Sequence, residues 1–176
     1  MRKILLSILA LMLSAGMWAN EITYTATAAL PIAGDAFTPS VSNHAFVNGV
    51  GHINFSDGDV TEINNNAFKN CTTMTSITLP NTITRIGEFT FAGCDGLTSF
   101  TIPASVTTIG DCAFAACKFL TSITFEGTAC QYAIGKSAFQ YVGDGNETTT
   151  NLTLPEYIFR SKPVQFSGAA VSSLKG

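Results

Sequence analysis

Charge is scarce in this chain. Only 12% of the 176 residues are Asp, Glu, Lys or Arg, and beyond Arg2-Lys3 the basic residues form no cluster. The formal charge of −3 leaves no electrostatic footprint for nucleic acid or anionic lipid. Histidine is scarcer still, with only His44 and His52. A hydrolytic triad would have to recruit one of them, and no Gly-x-Ser-x-Gly elbow or Cys-His pattern accompanies either. Zinc needs closely spaced ligand pairs, and neither His has a Cys near it, so no metal or cofactor is expected. Paired carboxylates for glycoside hydrolysis would come from scattered acids such as Asp57, Asp59 and Glu62. Those acids read more simply as a polar turn around Ser56-Asp57-Gly58-Asp59. Nothing among these residues calls for an enzyme.

Long apolar runs are also missing, with one exception. Met1-Arg2-Lys3 leads into an apolar stretch from Ile4 to Leu13, followed by Ser14 to Ala19 and then Asn20. A positive start, a short apolar core and a small residue before a polar stretch make a secretory leader over 1–19. The run is shorter than the roughly 20 residues a membrane span needs, which counts against an uncleaved anchor. No Cys ends the run, so a lipid anchor is not expected. Loss of 1–19 leaves 7 basic and 12 acidic residues and a formal charge of −5. The expected location is secreted, periplasmic or cell-surface in a bacterium, with no membrane insertion once the leader is gone.

What the chain does have is repetition, and a repeat decides a fold before any local reading does. Three blocks align without gaps, starting at Val60, Ile83 and Val106 and ending at Thr128. Equivalent positions recur at one constant spacing: Ile63, Ile86, Ile109; Phe68, Phe91, Phe114; Cys71, Cys94, Cys117; Met74, Leu97, Leu120. In the second block Leu97, Phe100 and Ile102 alternate with Ser99 and Thr101, as a half-buried strand requires. Pro80 and Pro103 follow such strands and end the ladder. A second inward edge comes from Val60, Ile83, Val106 and the Ile column. Asn64, Gly87 and Gly110 follow that edge, and these residue types suggest a corner with positive φ. Ala67-Phe68, Thr90-Phe91 and Ala113-Phe114 then suggest a short helix or 3₁₀ turn. A single coil buries little, whereas stacked coils share a continuous core.

The run Ile109-Gly110-Asp111-Cys112-Ala113-Phe114-Ala115-Ala116-Cys117-Lys118-Phe119-Leu120-Thr121-Ser122-Ile123-Thr124-Phe125 resembles the BspA-like leucine-rich repeats of bacterial and some protist surface proteins. The resemblance covers 60–128. It implies an α/β fold of the leucine-rich-repeat type: a right-handed solenoid with a parallel sheet on the concave side and short helix or 3₁₀ turns on the convex side. It also implies an exported protein-interaction module that adheres to or recognises a protein or glycan. The alternative is an assembly protein that stacks through its solenoid ends. Several positions depart from the pattern. Glu88-Phe89-Thr90-Phe91 replaces the usual Asp-Tyr-Ala-Phe, and Phe125-Glu126-Gly127 lacks the Pro that ends the other strands. Ile134-Gly135-Lys136-Ser137-Ala138-Phe139 restarts the motif two positions later than the regular spacing from Ile109 would place it.

These features divide the chain into a leader (1–19), an N-terminal capping region with a degenerate repeat (20–59), three repeats (60–128), a degenerate terminal repeat with an inserted loop within 140–151 (129–155) and a tail (156–176). In the capping region Asn43-His44-Ala45-Phe46 and Ile53-Asn54-Phe55 echo the motif, and Glu21 to Leu30 alternates in strand fashion. By this alignment His44 takes the place of Asn65, which suggests turn or surface duty.

Cys71, Cys94 and Cys117 form a column. Stacked equivalents point the same way about 4.8 Å apart, whereas a disulfide needs converging Cβ vectors. Buried free thiols are expected there, and a pair between Cys112 and Cys130 stays open. Asn54, Asn70, Asn146 and Asn151 begin glycosylation triplets, which a Thr-rich chain produces by chance. The outward sheet face carries one row of Ser76, Ser99, Ser122 and another of Thr78, Thr101, Thr124. Ser and Thr suit solvent-facing strands, but the rows also make a flat hydroxyl platform for a protein or glycan. Five strands at about 4.8 Å give roughly 400 Å², half of the ~800 Å² per partner of a standard interface. Binding through this face alone should therefore be weak or depend on avidity. Weak self-association is a second expected partnership.

Overall fold

The computed structural model describes residues 21–55, 58–127 and 133–143. The leader, the Ser56-Asp57 part of the turn, Cys130, the terminal repeat beyond Gly143 with its inserted loop, and the tail lie outside them. The repeat supplies short strands in pairs. One strand of each coil belongs to a ladder near the Ile column, namely β5 (Glu62–Ile63), β7 (Arg85–Ile86), β9 (Thr108–Ile109) and β11 (Ala133–Ile134). The other lies a dozen residues further on, as β6 (Met74–Thr78), β8 (Ser99–Ile102) and β10 (Ser122–Phe125). Four further strands precede the repeats or complete them at the N-terminal end: β1 (Glu21–Ala26), β2 (Phe37–Thr38), β3 (Val41–Val47) and β4 (Val50–Phe55).

Each strand meets its equivalent in the next coil. Ile63, Ile86 and Ile109 are in register across β5, β7 and β9, and β11 adds Ile134. The two-residue extra spacing before Ile134 is therefore absorbed outside the ladder. Strands β8 and β10 pair in parallel with Ser99 opposite Ser122 and Thr101 opposite Thr124. Strand β6 neighbours β8, but its paired ladder runs to β1 instead. What the sequence presents as one parallel sheet plus an inward edge is thus a five-stranded sheet on one side of the coil and, on the other, a four-stranded sheet ending at β6 beside the β8–β10 pair.

A third side is also laddered. The N–H groups of Asn66, Phe68 and Asn70 donate to the carbonyls of Glu88, Thr90 and Ala92, and the pattern repeats one coil further on. No helix forms among the described residues, and the expected turn survives only as isolated bonds three residues back, from Ala67, Lys69 and Cys71 to Asn64, Asn66 and Phe68. Left-handed backbone at Asn66, Phe89 and Cys112, and again at Asn70, Gly93 and Ala116, interrupts any helical run. Those N–H groups point along the stack and bond the next coil rather than their own. The left-handed corner itself falls two residues after the glycine column, not on it. Gly87 and Gly110 are needed for a different reason. A Cβ at Gly87 would lie 2.7 Å from the Asn64 and Asn65 backbone, and one at Gly110 would lie 2.6 Å from Gly87 and Glu88. The column is glycine because successive coils touch there.

The core runs through the middle of this three-sided stack. Phe68, Phe91, Phe114 and Phe139 are fully buried and lie nearly face to face at centroid spacings of 5.3, 5.2 and 5.5 Å. Phe100 adds edge contacts to Phe91 and Phe114 at 4.9 and 4.8 Å. Phe37 of β2 meets Phe68 edge-on at 5.6 Å, so the aromatic column continues into the N-terminal region. The Thr90 departure is also accommodated. Its hydroxyl, fully buried, donates to the Gly87 carbonyl at 2.8 Å and reaches that of Asn64 at 3.1 Å. No buried hydroxyl is left without a partner at that place.

The thiol column is buried and free, as expected. Two of the thiols reach back one coil: Cys94 Sγ donates to the Phe68 carbonyl and Cys117 Sγ to that of Phe91, both at 3.0 Å. Burial pushes the Cys117 thiol up to about 12 and that of Cys94 higher still. The thiolate is the reactive form, so these groups are inert at neutral pH. Cys112 is half-buried, and its pairing with Cys130 falls outside the described residues.

Two outcomes follow from this packing. Phe91→Ala removes a ring that touches three others, and urea unfolding is expected to show a loss of about 3–5 kcal/mol. Iodoacetamide at pH 8 is expected to modify Cys112 in the native protein. It should spare Cys71, Cys94 and Cys117 until denaturant is added, as read by peptide mass mapping.

Candidate functional site

The N-terminal strands lie at the ends of the four-stranded and five-stranded sheets. Strand β2 pairs antiparallel with β5, with Phe37 opposite Ile63. Strand β1 pairs antiparallel with β6 on one side and β4 on the other, and β3 follows as the last strand. The motif echoes at 43–46 and 53–55 therefore fall on an antiparallel hairpin of β3 and β4. Its turn is Asn48-Gly49, with φ of 53° and 85°. Both residues need positive φ in this turn type, and Asn-Gly supplies it at least cost. That dipeptide is the signal that marks these residues as a hairpin rather than a coil.

Cross-strand partners share a face, so the register extends the hydroxyl platform beyond the repeats. Ser76, Thr78, Ser99, Thr101, Ser122 and Thr124 are all exposed. Thr25 stands opposite Ser76 and Thr23 opposite Thr78. The Thr25 hydroxyl lies 2.7 Å from that of Ser76 and 2.6 Å from that of Thr75. Beyond β1, Val50 faces Thr25 and His52 faces Thr23. Val47 and Ala45 follow on β3. Two lanes thus cross β6, β1, β4 and β3, one of Ser76, Thr25, Val50 and Val47 and one of Thr78, Thr23, His52 and Ala45. Ser99 with Ser122 and Thr101 with Thr124 form matching rows on the neighbouring β8 and β10. The large exposed rings, Phe89, Phe119 and Tyr141, lie in turns and not on these strands.

Two histidines distinguish the N-terminal end of the platform. His52 Nδ1 donates to Glu21 Oε1 at 2.7 Å, diagonally across β1 and β4. The sequence places no acid beside either His, yet strand pairing brings these two together. A carboxylate that orients an imidazole is one part of a hydrolytic triad, but it is equally an ordinary cross-strand ion pair on an open sheet. His44 lies on the opposite face and in a strand, which corrects its expected turn or surface duty. There the Tyr24 ring passes across Gly51, where a Cβ would sit 2.0 Å from ring carbons. Tyr24 Oη accepts from the Leu30 N–H at 3.0 Å and is placed to donate to His44 Nε2 at 2.7 Å. The neutral imidazole can accept there. Burial lowers its pKa accordingly, while burial holds the Tyr24 phenol above its usual range. Among the described residues no three of His, Cys, Asp or Glu come together to hold a metal.

The sequence pattern of the BspA type leucine rich repeat region matches residues 40–167 as six copies, and the chain belongs to that family. The match extends beyond the three regular repeats on both sides. Among solved structures, the chain is similar to a leucine-rich repeat protein from Bacteroides ovatus, with 26% identity and a TM-score of 0.49. That likeness covers 62% of this chain and 28% of the other. It is also similar to a leucine rich repeat protein of T. pallidum, with 19% identity, a TM-score of 0.42 and coverage of 66% and 61%. The chain thus spans less than two thirds of the length of either protein. No curated protein sequence matches it. Repeat domains of this kind are in general protein-interaction modules without catalysis of their own.

The lowered pKa of His44 couples folding to pH. Its folded pKa lies below the ordinary 6.5, so unfolding takes up a proton once the pH falls below that value. The stabilising contribution is complete above pH 6.5 and is lost as the pH drops through the folded pKa. Thermal melts at pH 7.5 and 5 should show a loss of Tm in the acid sample. His44→Gln, which keeps an acceptor for Tyr24, should show a smaller loss.

Proposed function

We propose that this protein is an exported interaction module whose outward sheet face binds a protein or glycan. The single observation that carries the reading is the register. It pairs Ser99 and Thr101 with Ser122 and Thr124, and Ser76 and Thr78 with Thr25 and Thr23 of β1. Six strands at about 4.8 Å, each showing about 16 Å, give a face near 450 Å². That is still short of the ~800 Å² each partner contributes to a standard interface. The face is rich in short donors and acceptors and poor in apolar anchors, which suits a hydroxylated or backbone-presenting ligand. Binding strength then comes from repetition of weak contacts and from avidity.

The leader at 1–19 directs export, and the family membership supports a place at a bacterial surface or in its surroundings. The right-handed winding and concave placement of the sheet belong to the same reading. Glu21–His52 adds a charged group at one end of an otherwise neutral face and orients the ligand there. The test is a pull-down or glycan array comparing the wild type with a Ser99→Arg/Thr101→Arg double variant. Both substitutions are on exposed strand positions and should leave the melting curve unchanged. Binding is expected to fall by tenfold or more, and unchanged binding removes this face as the site.

A further inference from the structure

The last strand of the platform sheet is β3, and among the described residues only β4 pairs with it. The hairpin geometry says which of its backbone groups are committed. A two-residue turn at Asn48-Gly49 makes Val47 and Val50 the closing hydrogen-bonded pair, and committed residues then alternate. Residues 47, 45 and 43 bond β4, and His44 and Phe46 turn their N–H and C=O groups to the open side. An open edge is normally blunted by Lys, by Pro or by a bulge. Here Pro39 and the irregularity between Val41 and Asn43 affect only the start of the strand. From Asn43 to Val47, nothing among the described residues blocks the edge.

We propose that this edge pairs antiparallel with the same edge of a second copy, about a two-fold axis at Ala45. Three observations select a second copy as the occupant. First, the stretch from Ala36 to Ser56 contains no Asp, Glu, Lys or Arg. In a chain of net negative charge, this is a place where two copies approach without repulsion. Second, the edge is complementary to itself. With Ala45 on the axis, the outward-facing groups of His44 meet those of Phe46 in the other copy, and the reverse. Isologous pairing of this kind closes after two copies. Third, the side chains on the inner face fit the pairing. His44 and Phe46 are only half-buried, and each would lie beside the other's ring across the axis. The same two rings already pack against Tyr24 at 5.8 and 6.0 Å within one copy. On the outer face the small Ala45 meets its equivalent, and Asn43 meets Val47, which is exposed at 46% in the single chain.

The pairing joins two platform sheets into one surface of twice the extent, with both hydroxyl faces on the same side. Five residues of edge span about 17 Å, so the contact is small and the dimer is reversible. Sedimentation velocity on the purified protein from about 5 to 500 µM is expected to show monomers converting to dimers over that range. Ala45→Lys puts two ammonium groups on the axis and should weaken association at least tenfold with an unchanged far-ultraviolet spectrum. If that variant does not fold, a cross-link carries the test. In a Cys112→Ser/Cys130→Ser background, Ala45→Cys should form a disulfide dimer on oxidation, since facing Cα atoms at such a position are about 4.5 Å apart. Asn43→Cys, which faces Val47 of the other copy, should not. A strict monomer to the highest concentration overturns the proposal. So does a dimer that Ala45→Lys leaves intact, or cross-linking at residue 43 and not at 45.

Discussion

Everything in this molecule answers to one distance, the step that separates a coil from the next. Backbone hydrogen bonding sets it, because a strand and its neighbour lie about 4.8 Å apart. Side chains must then repeat at that interval or leave a gap. The phenylalanines do so at 5.3, 5.2 and 5.5 Å, a spacing at which stacked rings still attract. Two of the thiols do so by donating to a carbonyl one coil back. Where no side chain fits at all, the residue is glycine. Polar turn residues obey the same interval: Asn65 Oδ1 accepts from the Glu88 N–H, and Asp111 Oδ1 from that of Lys136.

That interval is also why so much was legible in the sequence. A column that contacts its own copy shows up as a recurrence at the repeat spacing, and the Ile, Phe, Cys and Leu columns are all core in the structure. What recurrence cannot tell is why a residue recurs. Glycine at 87 and 110 fits a left-handed corner and a close contact equally well, and only the neighbouring coil distinguishes them. Ala-Phe followed by small residues is compatible with a helical turn as well as with a laddered one. The N–H groups alternate between their own coil and the next, and the second half of that alternation is a tertiary fact.

The N-terminal region was harder for a different reason. Its motif echoes at 43–46 and 53–55 invite the reading that suits the rest of the chain, and the Asn48-Gly49 dipeptide between them speaks for a hairpin. The Glu21–His52 contact was not legible at all, since it depends on the register between strands that lie 31 positions apart. The six hydroxyl residues of the candidate face were found because they recur. Thr23 and Thr25 extend the same lanes without belonging to any repeat. The site thus has a periodic part, visible in the sequence, and a part contributed by the cap, visible only after folding.

The cap terminates the four-stranded and five-stranded sheets by different means. Strand β1 covers the edge of β6, and β2 that of β5. The stack therefore has a built beginning, and each later coil needs only the coil before it as a template. A chain that emerges N-terminus first, as from the ribosome, delivers the template before any coil that uses it. Folding can proceed by accretion, in step with delivery, and never has to wait for the far end of the chain.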